Sequence, residues 1–167
     1  MTTVGTSVVI AGNALITALA ADATLTSDGV NISYDAPVVP TDLKTEDGAF
    51  EAIWLGDAEE DEDVPLLTGG HLHRDETIDQ TLVVQVLRDG SAGTNATQAA
   101  VDARAVQILT RVQSVLANSV DLGVTDPARF EAVLNRWKLT RGFLGNAGGH
   151  GARFDCNVQF TARLTPS

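Results

Sequence analysis

Apolar residues recur along this chain with two periods, one near 3.6 and one of two. In SVVIAGNALITALAAD, Val8, Ala11, Leu15 and Leu19 share a face at three- and four-residue steps. That spacing predicts a helix, with Thr6 or Ser7 as its N-cap. In TNATQAAVDARAVQILTRVQSVLAN the same rhythm carries Val101, Ala105, Ile108, Val112 and Val115 or Leu116, which predicts a second amphipathic helix. Elsewhere the period is two. GVNISYD aligns Val30, Ile32 and Tyr34, and AFEAIWLG aligns Phe50, Ala52 and Trp54. Residues 71 to 88 alternate over the longest stretch, with Leu72, Ile78, Leu82, Val84 and Val86 on the buried face.

The last segment has the clearest alternation. In ARFDCNVQFTARL, Ala152, Phe154, Cys156, Val158, Phe160, Ala162 and Leu164 fall on one face, and Arg153, Asp155, Asn157, Gln159, Thr161 and Arg163 on the other. One-sided burial over that length predicts an antiparallel sheet with one polar face. The segment DPARFEAVLNRWKLTR fits two patterns. Asp126 and Pro127 start a helix well, but the apolar phase also shifts near Asn135 as a bulged strand's would. Strand is expected from Arg136 to Arg141, with the start open. GFLGNAGGHG reads as a flexible hairpin loop, since it lacks the Lys-Ser/Thr of a phosphate loop. The order helix, strands, helix, strands predicts one α+β domain over residues 1–167, a mostly antiparallel sheet with two helices packed on one face.

Charge changes the picture more than composition does. The chain is 44% hydrophobic and 20% charged, as expected of a globular protein, but its net charge is −11. That sign disfavours binding along nucleic-acid phosphates or on anionic membranes. From Asp42 to Asp63 there are ten acidic residues against Lys44, whereas from Arg129 to Arg163 six basic residues face Glu131 and Asp155. Asp57 to Asp63 holds six carboxylates in seven residues, which predicts a solvated loop within a longer acidic loop at about 35–65. A chain so polarised can join its copies head to tail, acidic flank to basic flank, or simply carry two solvated faces, and charge alone favours the second.

Candidate chemistry is sparse. HLHRDE would put His71, His73 and Asp75 on one face of a strand, a feasible ligand set for Zn²⁺. The same positions fall on the solvent-facing phase, where polar residues belong without any ligand. The acidic run lacks the Gly and closing Glu of an EF-hand loop, and no serine lies in a G-x-S-x-G pattern. No catalytic residue and no cofactor is expected. Cys156, the single cysteine, falls on the apolar phase of its strand, so a buried inert thiol is expected. The apolar run ending at Ala20 superficially suggests a signal peptide, but MTTVGTS has no Lys or Arg for the charged region that precedes one.

The succession of elements resembles a known family. A first helix (SVVIAGNALITALAAD) is followed by a strand, a long loop and a strand that opens with charged residues (RDETIDQTLVVQVLRDG). Then come a loop of small residues (SAGTNAT), the helix AAVDARAVQILTRVQSVLA, a short LGV segment and the final strand GARFDCNVQFTARL. This order is similar to that of the tail-terminator proteins of long-tailed bacteriophages, also called minor tail or tail-completion proteins. The resemblance covers most of the chain and is one of order rather than of a specific motif.

The resemblance implies a non-enzymatic virion protein that is assembled in the host cytoplasm and sits at the head–tail junction. It implies a homo-oligomeric six-fold ring that ends tail-tube polymerisation and contacts both the tube protein and a head-completion protein. DNA would pass through the lumen without specific binding, which an excess of carboxylates suits. Related head-closure and tail-tube proteins are the nearest alternatives, and a metal-binding module using His71, His73 and Asp75 or a monomeric binding domain are readings from other classes. The interface is expected on Glu59, Glu60, Asp61, Glu62 and Asp63 on one side and Arg136, Lys138 and Arg141 on the other.

Overall fold

A computed structural model describes residues 4–40, 43, 48–62, 66–68, 71–89, 97–125, 129–144 and 149–164, with the backbone alone at 4–6, 60, 62, 66–68, 71–75, 129, 143–144 and 163–164. The helices are α1 (Val4–Ala20), α2 (Ala23–Ser27) and α3 (Gln98–Asn118). The strands are β1 (Asn31–Ser33), β2 (Ala49–Glu62), β3 (Leu66–Thr68), β4 (His71–Arg88), β5 (Arg129–Leu144) and β6 (Gly149–Leu164).

The sheet order is β1-β2-β4-β6-β5, and β3 pairs with β4 beyond the end of β2. All pairings are antiparallel except β1 with β2, so the sheet is mixed. Its four long strands are amphipathic. Ile53 and Leu55 of β2, Ile78, Leu82, Val84 and Val86 of β4, and the even-numbered apolar residues of β6 face the helices. Against them pack Ala11, Leu15 and Leu19 of α1, Leu25 of α2, and Val101, Ala105, Ile108, Leu109, Val112 and Leu116 of α3. The two-layer α+β arrangement is the expected one, with α2 as an added short helix. Asp22 caps α2 by accepting from the N–H of Thr24 and Leu25, and Thr97 caps α3 by accepting from Ala100.

Several expectations need correction. The first helix already begins at Val4, so Thr6 and Ser7 lie inside its first turns rather than at a cap, and Ser7 is buried. Phe50, Ala52 and Trp54 do share a face, but it is the one turned away from the helices, where Ala52, Trp54 and Val83 form a second small cluster. Asp57 to Glu62 is not a loop: β2 runs on through it, paired with β4 from Ala58↔Gln80 to Glu62↔Glu76. Backbone pairing to a long neighbour there outweighs the repulsion among its carboxylates. The glycine loop is also shorter than expected, because β5 reaches Leu144 and β6 starts at Gly149.

The ambiguous segment is strand from Arg129 onward, and its register slips between Leu134 and Arg136, where the apolar phase shifts. The slip moves Trp137 and Leu139 onto the helix side of the sheet, opposite Cys156 and Phe154.

Candidate assembly surface

The acidic stretch joins the sheet across a bulge whose free carbonyls one buried side chain satisfies. Between Leu55 and Ala58 the pairing of β2 with β4 slips by one residue. Such a bulge leaves carbonyls off the ladder. The Gln80 side chain, 2% exposed, fills that gap. Its Nε2 donates to the carbonyls of Gly56 at 3.0 Å, Thr81 at 3.1 Å and Asp57 at 3.3 Å. Beyond the bulge Asp57, Glu59 and Asp61 are exposed. Glu59 lies opposite Asp79, a like-charge pair that is destabilising across a ladder. Asp79 accepts a hydrogen bond from Gln159 at 3.3 Å. The backbones of Glu60 and Glu62 continue β2, while their side chains and the whole of Asp63 lie outside the described residues.

The basic residues stand on the opposite edge. Arg136 and Lys138 of β5 are exposed, and Arg141 reaches α3 to donate to Asp102 at 2.7 Å. Burial would raise the Asp102 carboxyl, but bonds from Gln98 and Arg141 outweigh it and hold it below the usual range. Between these cations Trp137 is 54% exposed, its ring set edge-on against Phe154 at 5.2 Å. The sequence pattern did not single out Trp137, whose exposure follows from the bulge and the edge position. β4 and β6 separate β2 from β5, so the acidic and basic groups are brought to opposite sides of one sheet.

Ion pairs brace the helices against that sheet and against one another. Glu51 accepts from Arg104 of α3 at 2.7 and 2.9 Å and also from Arg88 of β4. Burial alone would raise its carboxyl; the two guanidinium groups outweigh that and lower it. Asp22 accepts from Arg111 at 2.6 Å, and that bond, with the cap N–H groups, keeps it ionised to lower pH despite burial. On the helix-free face the Arg153 guanidinium lies 5.7 Å from the centre of the Trp54 ring.

His71, His73 and Asp75 form the start of β4, with His71 opposite Thr68 and His73 opposite Leu66 of β3. Their side chains lie outside the described residues. His150 pairs with Arg88, at the other end of β4 from His71, tens of ångströms away at about 3.3 Å per residue. Among the described residues no group of three His, Cys, Asp or Glu side chains is placed to hold a metal ion. Cys156 is buried as expected, and burial with the nearby Asp155 pushes its thiol up to about 12. A depression of about 350 Å³ between α2 and α3 contains Arg104 and Arg111, but carboxylates within the fold engage both. Among the described residues no helix is long and apolar enough to cross a membrane.

No family model and no curated protein matches the chain. Among solved structures it is similar to a chain in the virion of a native gene transfer agent particle. The identity is 18% and the TM-score 0.44, over 90% of this chain and 94% of that one.

Proposed function

We propose that this protein is a structural component of a phage-like virion. In this reading it closes as a ring at the head-proximal end of the tail tube, ends tube polymerisation and offers the surface on which the head is joined. It catalyses nothing and needs no cofactor. The observation that carries this reading is the placement of opposite charge on opposite edges of one sheet: Asp57, Glu59 and Asp61 on β2, Arg136 and Lys138 on β5. Surfaces so arranged join different patches of neighbouring copies, and when the rotation closes, such contacts make rings. The packing of the helices on one face of a mostly antiparallel sheet is compatible with that reading. The acidic excess suits a passage for DNA, because carboxylates repel phosphates.

The test is to add the purified protein to polymerising tail-tube subunits of the same virion. Tubes that stop growing and carry a cap at one end are expected. Tubes of unchanged length, or long tubes made by this protein alone, would contradict the proposal.

A further inference from the structure

The sheet has two open stretches of edge, and they lie diagonally across from one another. On β5 the Ala132 N–H points away from β6 and donates to the Val120 carbonyl at 2.7 Å, so the turn after α3 closes that part of the edge. With Ala132 turned outward, Glu131 and Val133 are the residues bonded to β6, opposite Thr161 and Gln159. The same alternation along β6 then bonds Arg136, Lys138 and Thr140 inward, opposite Asn157, Asp155 and Arg153. The outward amides beyond the bulge therefore belong to Trp137, Leu139 and Arg141. Among the described residues no strand or turn meets them.

On β2 the closed and open parts are reversed. β1 pairs with Ala52 to Trp54, and the Leu55 N–H donates to the Tyr34 carbonyl at 3.2 Å. Past the bulge the outward amides are those of Ala58, Glu60 and Glu62, and among the described residues no strand adjoins them. Register across the sheet sets Leu55 level with Trp137 and Glu62 level with Phe130. Each edge is open where the other is closed.

We infer that the open part of β5 receives the acidic arm of β2 from a second copy of this chain as an added antiparallel strand. Within one copy β2 and β5 run in opposite directions, so a neighbour related by rotation meets β5 antiparallel. Glu59 and Asp61 stand on the helix-free face of β2, as Lys138 and Thr140 do on β5, so a continued sheet brings carboxylates beside an ammonium group on one face. Cross-strand pairs of opposite charge favour such an alignment. Unpaired edge amides are a template for another strand, and the exposed Trp137 is the kind of side chain that anchors an interface. The two open parts are offset along β6 by the distance from Phe160 to Phe154, roughly 20 Å along the strands. A stagger of that kind tilts strands in a closing barrel. The inference rests on the ring assembly proposed above and adds the joint between copies.

The test mixes Asp61→Cys protein with Lys138→Cys, Thr140→Cys or Glu131→Cys protein under mild oxidation. All four positions are exposed or half-exposed strand positions outside the core, and the buried Cys156 thiol supplies no competing reaction. Disulfide-linked dimers with the residue 138 or 140 variant, at least ten-fold above the yield with the residue 131 variant on the closed part, are the expected result. No cross-link at 138 or 140, or an equal yield at 131, would overturn the joint. Light scattering on the unmodified protein separates the two claims: closed rings without the cross-link overturn the joint alone, and a monomer without it overturns both.

Discussion

The Gln80 side-chain amide donates to the Gly56 carbonyl at 3.0 Å from a position 2% exposed on the helix side of the sheet. The bond holds the slip in β2 that aims the acidic arm along β4. Gln80→Leu keeps the bulk and removes the donor, so the Gly56 and Asp57 carbonyls lose a partner. A loss of about 1–3 kcal/mol in denaturant unfolding is expected. Hydrogen exchange should rise from Gly56 to Asp61 before it rises in β6.

Glu51 joins Arg104 of α3 to Arg88 of β4 from a site 10% exposed. Glu51→Ala leaves two guanidinium groups facing each other, and the cost is roughly 3 kcal/mol. A thermal midpoint read beside that of the parent protein checks it.

The carboxyls of Asp22, Glu51 and Asp102 all titrate below their ordinary range in the folded protein. Their contribution is therefore complete above the unfolded value near 4. It is lost as pH falls through the lower folded values. The melting temperature should change little from these groups between pH 7 and 5, then fall below about pH 4. The decline should be shallower in Glu51→Gln, measured at constant ionic strength.

Trp137→Ala separates stability from assembly. The ring is half exposed, and its edge-on contact with Phe154 contributes about 0.5–1.5 kcal/mol. The monomer should lose little beyond that, whereas association should weaken at least ten-fold. Sedimentation across a concentration series reads the second effect, and unchanged association would remove Trp137 from the interface.

Reversing charge on the acidic arm, with Glu59→Lys and Asp61→Lys, should weaken association most at low salt, where screening is least. Lys138→Glu on the partner should restore part of the loss. Association unaffected by either change would show that charge does not join the copies.

Where one face of an element is buried and the other is not, the sequence told its structure. β6 alternates from Ala152 to Ala162 as its periodicity requires, and α3 buries Val101, Ala105, Ile108, Val112 and Leu116. The bulge in β5 was visible as a phase shift at Asn135, because one extra residue exchanges the faces. The strand from Asp57 to Glu62 was not legible, since a run of carboxylates reads as solvated loop and its stabilising partner, Gln80, lies 24 residues away from Gly56 in the chain. The charged residues of the candidate surface could be named, but their separation onto opposite edges depends on the order β2-β4-β6-β5, which no local pattern encodes. Ion pairs such as Arg104 with Glu51 are equally non-local.

The central claim is that copies of this chain close into a ring, and light scattering across a concentration series, with negative-stain images of the peak, tests it most directly. A single species of about six subunits, seen as closed rings, is predicted. A monomer at every concentration, or open tubes that lengthen as concentration rises, would contradict it.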